Sequence, residues 1–321
     1  MDTSPRPTVV VLHGADRPPP TTPIESRATV RYTRADRLGG ALEGADVLFL
    51  WDARSTALTR VWPAADALRW VHVAGPGVAH LLFPGLRESR VLLTNSPGVF
   101  DEPMAEYVLG LVLAFAKDLP ATLRDQQRRR WHHRETERLA GSGALIVGTG
   151  PIARAIGRKL TAVGVRVSAV GPTARQGDPD LGDVVPLAEL RAAASGADWI
   201  VLALTFTEQT KGLVDADLLR ALRPTARLIN IGRSGLVVQA ALVDALDKGM
   251  LSGAAFDVFA DEPLAPSSPL WGMPNVLISP HMSGDVAGWR EELVRRFVDN
   301  LDRYRAGLPL ISVVDKERFP R

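Results

Sequence analysis

Short apolar runs alternate with helix-like segments along almost the whole chain. In the first third of the sequence, these runs are short and rich in β-branched and aromatic residues, which predicts β-strands. The runs are Val9–Leu12, Thr29–Tyr32, Asp46–Trp51, Trp70–Val73 and Val91–Thr94. Strands that alternate with helices are typical of an α/β fold with parallel sheets.

The alternation becomes more regular from residue 144 onwards. Apolar runs predict six strands, at Ala144–Val147, Val165–Val170, Trp199–Leu204, Arg227–Ile231, Ala254–Val258 and Val276–Ser279. Helical patterns lie between them at Ile152–Val163, Leu187–Ala194, Asp215–Leu222 and Val238–Leu246. Six strands with helical crossovers are what a doubly wound nucleotide-binding domain requires.

Two longer helices are predicted outside this region. Met104–Leu119 is mostly apolar and follows Asp101-Glu102-Pro103, which suits a helix start, and Val286–Arg305 is the last helix. Between them, Arg124–Arg138 is rich in arginine and is interpreted as a solvated connector or a subunit-contact arm. A chain of 321 residues exceeds what one core usually holds, so two domains are expected.

Composition and charge narrow the classes of function. Lys and Arg number 38 against 36 Asp and Glu, a net charge of +2, which is too small to predict a nucleic-acid partner. The absence of cysteine excludes disulfides and thiolate catalysis, and no metal site is predicted. No signal sequence or membrane span is visible, so we expect a cytoplasmic protein without a membrane partner.

The strongest local motif is a glycine turn between a strand and a helix. Gly148 permits the tight turn, Gly150 allows the backbone to approach a pyrophosphate, and Ala153 allows close helix packing. The helix start then offers free N–H groups to the phosphates. The motif predicts dinucleotide binding by Gly148, Thr149, Gly150, Pro151, Ile152 and Ala153, and the alternative is an ordinary structural turn.

The end of the following strand bears on the choice of cofactor. NAD-binding folds place an acid there that accepts a hydrogen bond from the ribose 2′-OH. Gly171 stands at that place, and Thr173 and Arg175 follow as candidates to bind a 2′-phosphate. We therefore expect NADP(H) to be favoured over NAD(H). The alternative is that Arg175 is solvated and selectivity is poor.

Three polar residues follow strands in the second half of the chain. Arg233 offers a guanidinium that can bind a carboxylate with two hydrogen bonds. His281 can exchange a proton near neutral pH, and the nearby Glu262 favours its charged form. Singly, each has a plain structural alternative, such as a surface ion pair or a turn. Together they predict proton and hydride chemistry on an anionic carbonyl compound.

The order and spacing of these motifs carry a family resemblance. Thr94–Phe100 and Ala105–Tyr107 precede the glycine turn, and 29 residues separate Arg233 from Glu262, with 19 more to His281. From about Trp70 to Trp289 the chain resembles the D-isomer-specific 2-hydroxyacid dehydrogenases, particularly their glyoxylate/hydroxypyruvate reductase branch.

The resemblance implies an architecture and an activity. The fold class is α/β with two doubly wound parallel-sheet domains, a larger Rossmann dinucleotide-binding domain at 99–286 and a smaller flavodoxin-like substrate domain at 1–98 plus 287–321. It implies a homodimer that acts on a small 2-keto or 2-hydroxy acid. Arg233 would bind the substrate, His281 would be the general acid/base with Glu262 as its partner, and Asp257 would hold the nicotinamide carboxamide.

Further binding residues come from the same resemblance. Met104, Thr205 and Ile231 are expected at the cofactor, and substrate contacts are expected from Gly75, Gly77 and Val78. Apart from the resemblance, Trp51 is a candidate to line the substrate pocket, and the alternative is ordinary core or surface packing. The chain departs from the sequence pattern of this family at two positions. Pro76 lacks the N–H that a substrate-binding loop would use, and Ala79 stands where an Asp is frequent.

Two other functions compete with a 2-keto acid reductase. A dinucleotide-sensing regulatory protein could use the same scaffold, although the complete set of Arg233, Glu262 and His281 argues against it. Formate oxidation is disfavoured because that related branch pairs its histidine with Gln, whereas Glu262 stands here.

Overall fold

The chain forms two compact units. The computed structural model describes residues 6–14 and 18–317, and residues 1–5, 15–17 and 318–321 lie outside the described part. The first unit falls within residues 1–99 and 286–321, and the second contains residues 100–285. The sequence predicts a substrate domain at 1–98 plus 287–321 and a dinucleotide-binding domain at 99–286. This division into functional domains stays a prediction.

A parallel sheet forms the centre of the first unit. Among its described residues the strands are β1 (Thr8–Leu12), β2 (Thr29–Thr33), β3 (Val47–Leu50), β4 (Trp70–Val73) and β5 (Leu92–Thr94). The spatial order is β2-β1-β3-β4-β5, which is the flavodoxin-like order. Because both faces are covered, β3 and β4 are fully buried, and they are apolar except for His72.

Helices cover the two faces of this sheet. They are α1 (Thr22–Glu25), α2 (Leu38–Leu42), α3 (Ala57–Val61), α4 (Pro84–Glu88) and, from the C-terminal part, α11 (Trp289–Arg305). Phe297 of α11 stacks on Phe49 with 4.1 Å between ring centroids, and on Trp70 at 5.1 Å. These aromatic contacts join the last helix to the sheet of the first unit.

The segment after α11 covers the edge strand β5. Val313 pairs with Thr94 in an antiparallel bridge. Lys316 then donates from Nζ to the carbonyls of Leu86, Ser89 and Val91 at 2.9, 2.7 and 3.1 Å. Burial lowers the pKa of Lys316. This segment therefore supplies a donor to backbone carbonyls in the last turn of α4 and in the turn that follows it.

The second unit is built on a larger sheet. Its strands, all within described residues, are β6 (Gly143–Val147), β7 (Arg166–Gly171), β8 (Arg175–Asp178), β9 (Gly182–Pro186), β10 (Trp199–Leu202), β11 (Arg227–Asn230), β12 (Gly253–Phe256) and β13 (Val276–Ile278). The order is β13-β12-β11-β10-β6-β7-β9-β8. Every pairing is parallel except β8 with β9. The predicted Rossmann fold class is confirmed, with its switch point between β6 and β10.

Helices flank this sheet as well. They are α5 (Asp101–Ala116), α6 (Leu119–Gln127), α7 (Pro151–Ala162), α8 (Leu190–Ala194), α9 (Ala216–Ala221) and α10 (Gln239–Asp247). The described residues contain no helix that is long and apolar enough to cross a membrane.

The β8–β9 hairpin differs from the six predicted strands. β8 contains no apolar side chain and β9 contains only two valines and a proline, so the apolar pattern gives little signal for them. Asp178 organises the turn, because its Oδ1 accepts hydrogen bonds from the backbone N–H groups of Asp180 and Leu181 at 3.1 and 3.2 Å. Gly177 and Gly182 have φ of +63°, a conformation that favours glycine.

Candidate active site

Three adjacent strands present the predicted catalytic residues at one edge of the second sheet. Arg233 follows β11, Glu262 follows β12, and His281 follows β13. These strands are parallel neighbours, so their carboxyl ends lie at the same edge. In open α/β sheets, ligands bind outside the carboxyl ends of the strands.

The imidazole of His281 is paired with the carboxylate of Glu262. Nδ1 of His281 lies 2.9 Å from both oxygens of Glu262. The backbone N–H of Phe259 donates to Oε1 of Glu262 at 3.1 Å, which holds the carboxylate in place. The two side chains are 26% and 31% exposed. With Nδ1 on the carboxylate, Nε2 is the nitrogen that can exchange a proton with a substrate.

The backbone of His281 has an unusual conformation. Its φ is +54°, a left-handed conformation that costs a non-glycine residue roughly 1–2 kcal/mol. Such a conformation persists only where surrounding contacts enforce it. The enforcing contacts come from a second carboxylate, Asp257.

Asp257 is a buried carboxylate that binds both sides of the His281 loop. Its Oδ1 accepts from Ser279 Oγ at 2.7 Å and from the backbone N–H of Met282 at 2.8 Å, and its Oδ2 accepts from the N–H of Ser283 at 2.9 Å. The residue is 1% exposed. Asp257 therefore holds the backbone on both sides of His281 in place, and so anchors the loop. The expected contact of Asp257 with a nicotinamide carboxamide stays a prediction.

Helix α5 contributes to the same network. The hydroxyl of Tyr107 shares a hydrogen bond with Ser279, and burial raises the pKa of Tyr107. The phenol therefore stays protonated at neutral pH. A hydrogen-bonded chain thus runs from α5 through Ser279 to Asp257 and the His281 loop.

Arg233 stands on a turn that is organised by Asn230. The buried side chain of Asn230 accepts from the N–H of Gly232 at 3.0 Å and donates to the carbonyl of Arg233 at 3.0 Å. Nη1 of Arg233 donates to the Gly232 carbonyl at 2.7 Å. We did not predict this role for Asn230. The signal for it was a polar amide at the end of an otherwise apolar, buried strand.

The glycine turn after β6 suits a dinucleotide pyrophosphate. Gly148 has a φ of +126°, and a Cβ there would lie 2.3 Å from the Ala203 carbonyl oxygen, so the fold itself requires glycine. A Cβ on Gly150 would meet no protein atom within 4 Å. The fold therefore leaves open space at this position of the turn. Helix α7, of 12 residues, begins at Pro151 and directs its free N–H groups to this place.

The other predicted cofactor residues surround this edge of the sheet. Ala153 and Ile231 are buried, at 0% and 3% exposure. Ile152 of α7 and Met104 of α5 pack against the same core. Thr205 lies in the exposed loop after β10, where its carbonyl accepts from Thr210 Oγ1 at 3.1 Å. Their contacts with a cofactor stay predictions.

The predicted ribose region has a guanidinium with a defined partner. Nε of Arg175 donates to Oδ2 of Asp178 at 2.7 Å, and Nη1 donates to the Thr173 carbonyl at 3.4 Å. Arg154 of α7 also binds Asp178, at 3.0 and 2.9 Å. Arg175 is thus held in an ion pair, which differs from the alternative of a freely solvated side chain.

The predicted substrate loop belongs to the first unit. Gly75, Gly77 and Val78 follow β4, and Trp51 follows its parallel neighbour β3. The Gly75 carbonyl accepts from the N–H of Ser96 at 3.0 Å, and Asn95 Nδ2 donates to the Pro76 carbonyl at 2.7 Å. These four residues therefore lie at the carboxyl edge of their own sheet. Their contact with a substrate stays a prediction.

Trp51 has an aromatic partner from the C-terminal part. Its ring lies parallel to that of Trp289, with 6.0 Å between centroids and an interplanar angle of 2°. In the described part of the chain, no group of three or more His, Cys, Asp or Glu residues is arranged to hold a metal ion.

Comparison with known proteins identifies the family. Residues 109–283, more than half of the chain, match the model described as "D-isomer specific 2-hydroxyacid dehydrogenase, NAD binding domain". The chain belongs to this family. It is 32% identical over 236 residues to glyoxylate/hydroxypyruvate reductase A of Arabidopsis thaliana, which covers 71% of this chain and 72% of that protein.

Two more relatives of this D-isomer-specific 2-hydroxyacid dehydrogenase are informative. D-3-phosphoglycerate dehydrogenase of Synechocystis is 31% identical over 80% of this chain, which spans 46% of that longer protein. The crystal structure of the NADPH-dependent glyoxylate/hydroxypyruvate reductase of Sinorhizobium meliloti, in complex with NADP and sulfate, is 28% identical with a TM-score of 0.78, and covers 97% of this chain and 99% of that one. The chain is therefore a dinucleotide-binding oxidoreductase of 2-hydroxy acids.

Proposed function

We propose that the protein reduces small 2-keto acids of the glyoxylate or hydroxypyruvate type to D-2-hydroxy acids, with NADPH as the favoured cofactor. The observation that carries this proposal is the His281–Glu262 pair, 2.9 Å apart, at the strand edge that also bears Arg233. Bound at the glycine turn, the nicotinamide cofactor would supply the hydride.

His281 serves as the general acid in this proposal. Reduction of a carbonyl group develops negative charge on its oxygen, and a protonated imidazole can donate to that oxygen from Nε2. Glu262 holds Nδ1 of the ring and leaves Nε2 for the substrate. In the oxidative direction, the same nitrogen accepts the proton of the hydroxyl group.

Arg233 binds the substrate carboxylate. A guanidinium can form two parallel hydrogen bonds with a carboxylate, and it also stabilises charge at the neighbouring carbonyl oxygen. The turn that holds Arg233 is rigid because Asn230 bridges its backbone. This rigidity favours a fixed orientation of the carbonyl group towards His281, and a fixed orientation accelerates the reaction.

NADPH is the proposed cofactor because of the residues around Gly171. An acid that would accept from a ribose 2′-OH is absent at this strand end, and Arg175 lies in the hairpin that follows. The relative from Sinorhizobium meliloti is described as NADPH-dependent and was crystallised with NADP. These two facts support the proposal of an NADP(H) preference.

A steady-state assay tests the proposed function. The purified chain is offered NADPH or NADH with glyoxylate, hydroxypyruvate, pyruvate and 3-phosphohydroxypyruvate, and the product is resolved by chiral chromatography. We expect the highest kcat/KM with NADPH and glyoxylate or hydroxypyruvate, and D-products from the substrates that yield a chiral centre. Cofactor binding without turnover on any of these acids would favour a dinucleotide-sensing regulator instead.

Two further properties complete the proposal. We propose a homodimer, which light scattering coupled to size-exclusion chromatography tests, with a monomeric mass as the contrary result. We also propose a cytoplasmic location, which cell fractionation followed by immunoblotting tests.

A further inference from the structure

The last residue of β7 has no room for a side chain. A Cβ on Gly171 would lie 2.4 Å from Cγ2 and 3.2 Å from Oγ1 of Thr149, and 3.3 Å from Cγ1 of Val184 in β9. Real Cβ atoms essentially never approach another atom to 2.4 Å. Thr149, in the glycine turn, and Gly171, at the strand end, are therefore in steric contact.

Contacts on both sides of Gly148 hold the backbone of the glycine turn in place, so Thr149 cannot shift away from Gly171. The preceding Gly148 donates to the Val170 carbonyl at 2.9 Å, which ties the turn to β7. On its other side, Gly148 packs so closely against Ala203 that a Cβ would lie 2.3 Å from the carbonyl oxygen. Thr149 is also β-branched, so few side-chain rotamers are open to it.

Position 171 is also where cofactor selectivity is decided in Rossmann folds. An acid at this strand end accepts from the ribose 2′-OH of NAD. We propose that Thr149 is a specificity-determining residue, because its side chain fills the space that such an acid would need and so keeps the ribose region free of a carboxylate. This inference rests on the proposed binding of the cofactor at the glycine turn.

The hairpin on the other side of Gly171 carries the guanidinium group of Arg175. Asp178, whose side chain is 4% exposed, binds both Arg175 and Arg154. These hydrogen bonds, with that of Arg154 the largest cause, hold the pKa of Asp178 well below its usual range. Arg154 also pairs with Asp180 at 3.1 Å, so the carboxylates of Asp178 and Asp180 balance the two guanidinium groups. Arg175 still offers N–H donors that suit a 2′-phosphate, which a carboxylate at position 171 would repel.

A double-mutant cycle tests the steric part without any need for turnover. Gly171→Ala adds only the Cβ, and we expect it to lower the Tm by several degrees in the wild-type background and by clearly less in a Thr149→Ala background. Equal Tm losses in the two backgrounds, or no loss in either, would show that Thr149 does not occupy this space and would overturn the proposal. Non-additivity is expected only for residues in contact.

The selectivity part is tested by binding. The Kd values for NADPH and NADH are measured by fluorescence titration for Gly171→Asp and for Thr149→Ala/Gly171→Asp. We expect the single variant to bind both cofactors weakly, and the double variant to shift the NADPH/NADH affinity ratio towards NADH by about tenfold or more, as one charge-assisted hydrogen bond would. An equal shift of the NADPH/NADH affinity ratio in the single variant would show that Thr149 does not restrict position 171, and would overturn the proposal. Because Tm and Kd need no reaction, these results are independent of the 2-keto acid assay.

Discussion

The buried carboxylate of Asp257 offers the sharpest test of how the catalytic histidine is held. Asp257→Asn keeps the size of the side chain but replaces one acceptor oxygen with an NH2 group. The backbone N–H groups of Met282 and Ser283 donate to different oxygens of Asp257. Either orientation of the amide therefore leaves one of these N–H groups facing another donor.

The expected cost follows from these bonds. Hydrogen bonds to a charged group contribute about 1.5–3 kcal/mol each, and a buried donor without an acceptor costs about 1–3 kcal/mol. We therefore expect the free energy of unfolding to fall by about 2–4 kcal/mol. The left-handed His281 backbone loses its support, and a displacement of about 1 Å can cost on the order of 10²-fold in rate. We expect kcat to fall by about 10- to 100-fold.

Urea unfolding and initial rates measure the two effects, with Asp261→Asn as the matched control on an exposed acid of the neighbouring loop. If Asp257 acts through the loop, the Kd of NADPH stays within about threefold while kcat falls. A large loss of cofactor affinity with kcat preserved would instead assign Asp257 to the nicotinamide carboxamide. Unchanged stability and kcat would refute the anchoring role altogether. Ser279→Ala, which removes one side-chain donor, is expected to show a smaller effect in the same direction.

Other substitutions test the roles of Arg233, Glu262 and His72. Arg233→Lys should raise the KM for glyoxylate strongly, because an ammonium group cannot reproduce the guanidinium fork, and an unchanged KM in steady-state assays would contradict the anchor role. Glu262→Gln should lower kcat by about tenfold or more, because the amide NH2 group cannot accept from Nδ1 of His281 as both carboxylate oxygens do; a kcat within about twofold of the wild type would contradict this role. Burial lowers the pKa of His72 from 6.5 to about 3, so below pH 6.5 the unfolded chain takes up a proton that the folded chain does not. Folding stability should therefore decline as the pH falls from 6.5 towards 3, by at most about 1.4 kcal/mol per unit. His72→Gln should flatten this decline in urea titrations at several pH values, whereas the exposed-site control His133→Gln should not.

Most strands were predictable from apolar runs because they are buried on both faces. β10, for example, is fully buried and consists of Trp199, Ile200, Val201 and Leu202. The β8–β9 hairpin and α6 were missed for the opposite reason. The turn of the hairpin is held by the side chain of Asp178, β8 contains no apolar side chain, and α6 contains no buried residue. A pattern of apolar residues carries no signal for elements that are held by polar contacts.

The candidate site was predictable in its residue types but not in its contacts. Because parallel strands end at one edge, Arg233, Glu262 and His281 could be expected near one another. The anchoring of the His281 loop by Asp257 depends on backbone N–H groups, which every residue except proline carries, so no residue type marks it. The contact between Thr149 and Gly171 likewise depends on the distance between two backbones, which the sequence does not encode locally.

Turnover of glyoxylate by the wild type and by His281→Ala tests most directly whether the imidazole of His281 transfers the proton. We expect steady NADPH consumption by the wild type and a kcat about 10²- to 10⁴-fold lower for the variant, as loss of a general acid implies, with the Kd of NADPH retained. Activity of His281→Ala within a few-fold of the wild type would contradict the claim that this imidazole transfers the proton.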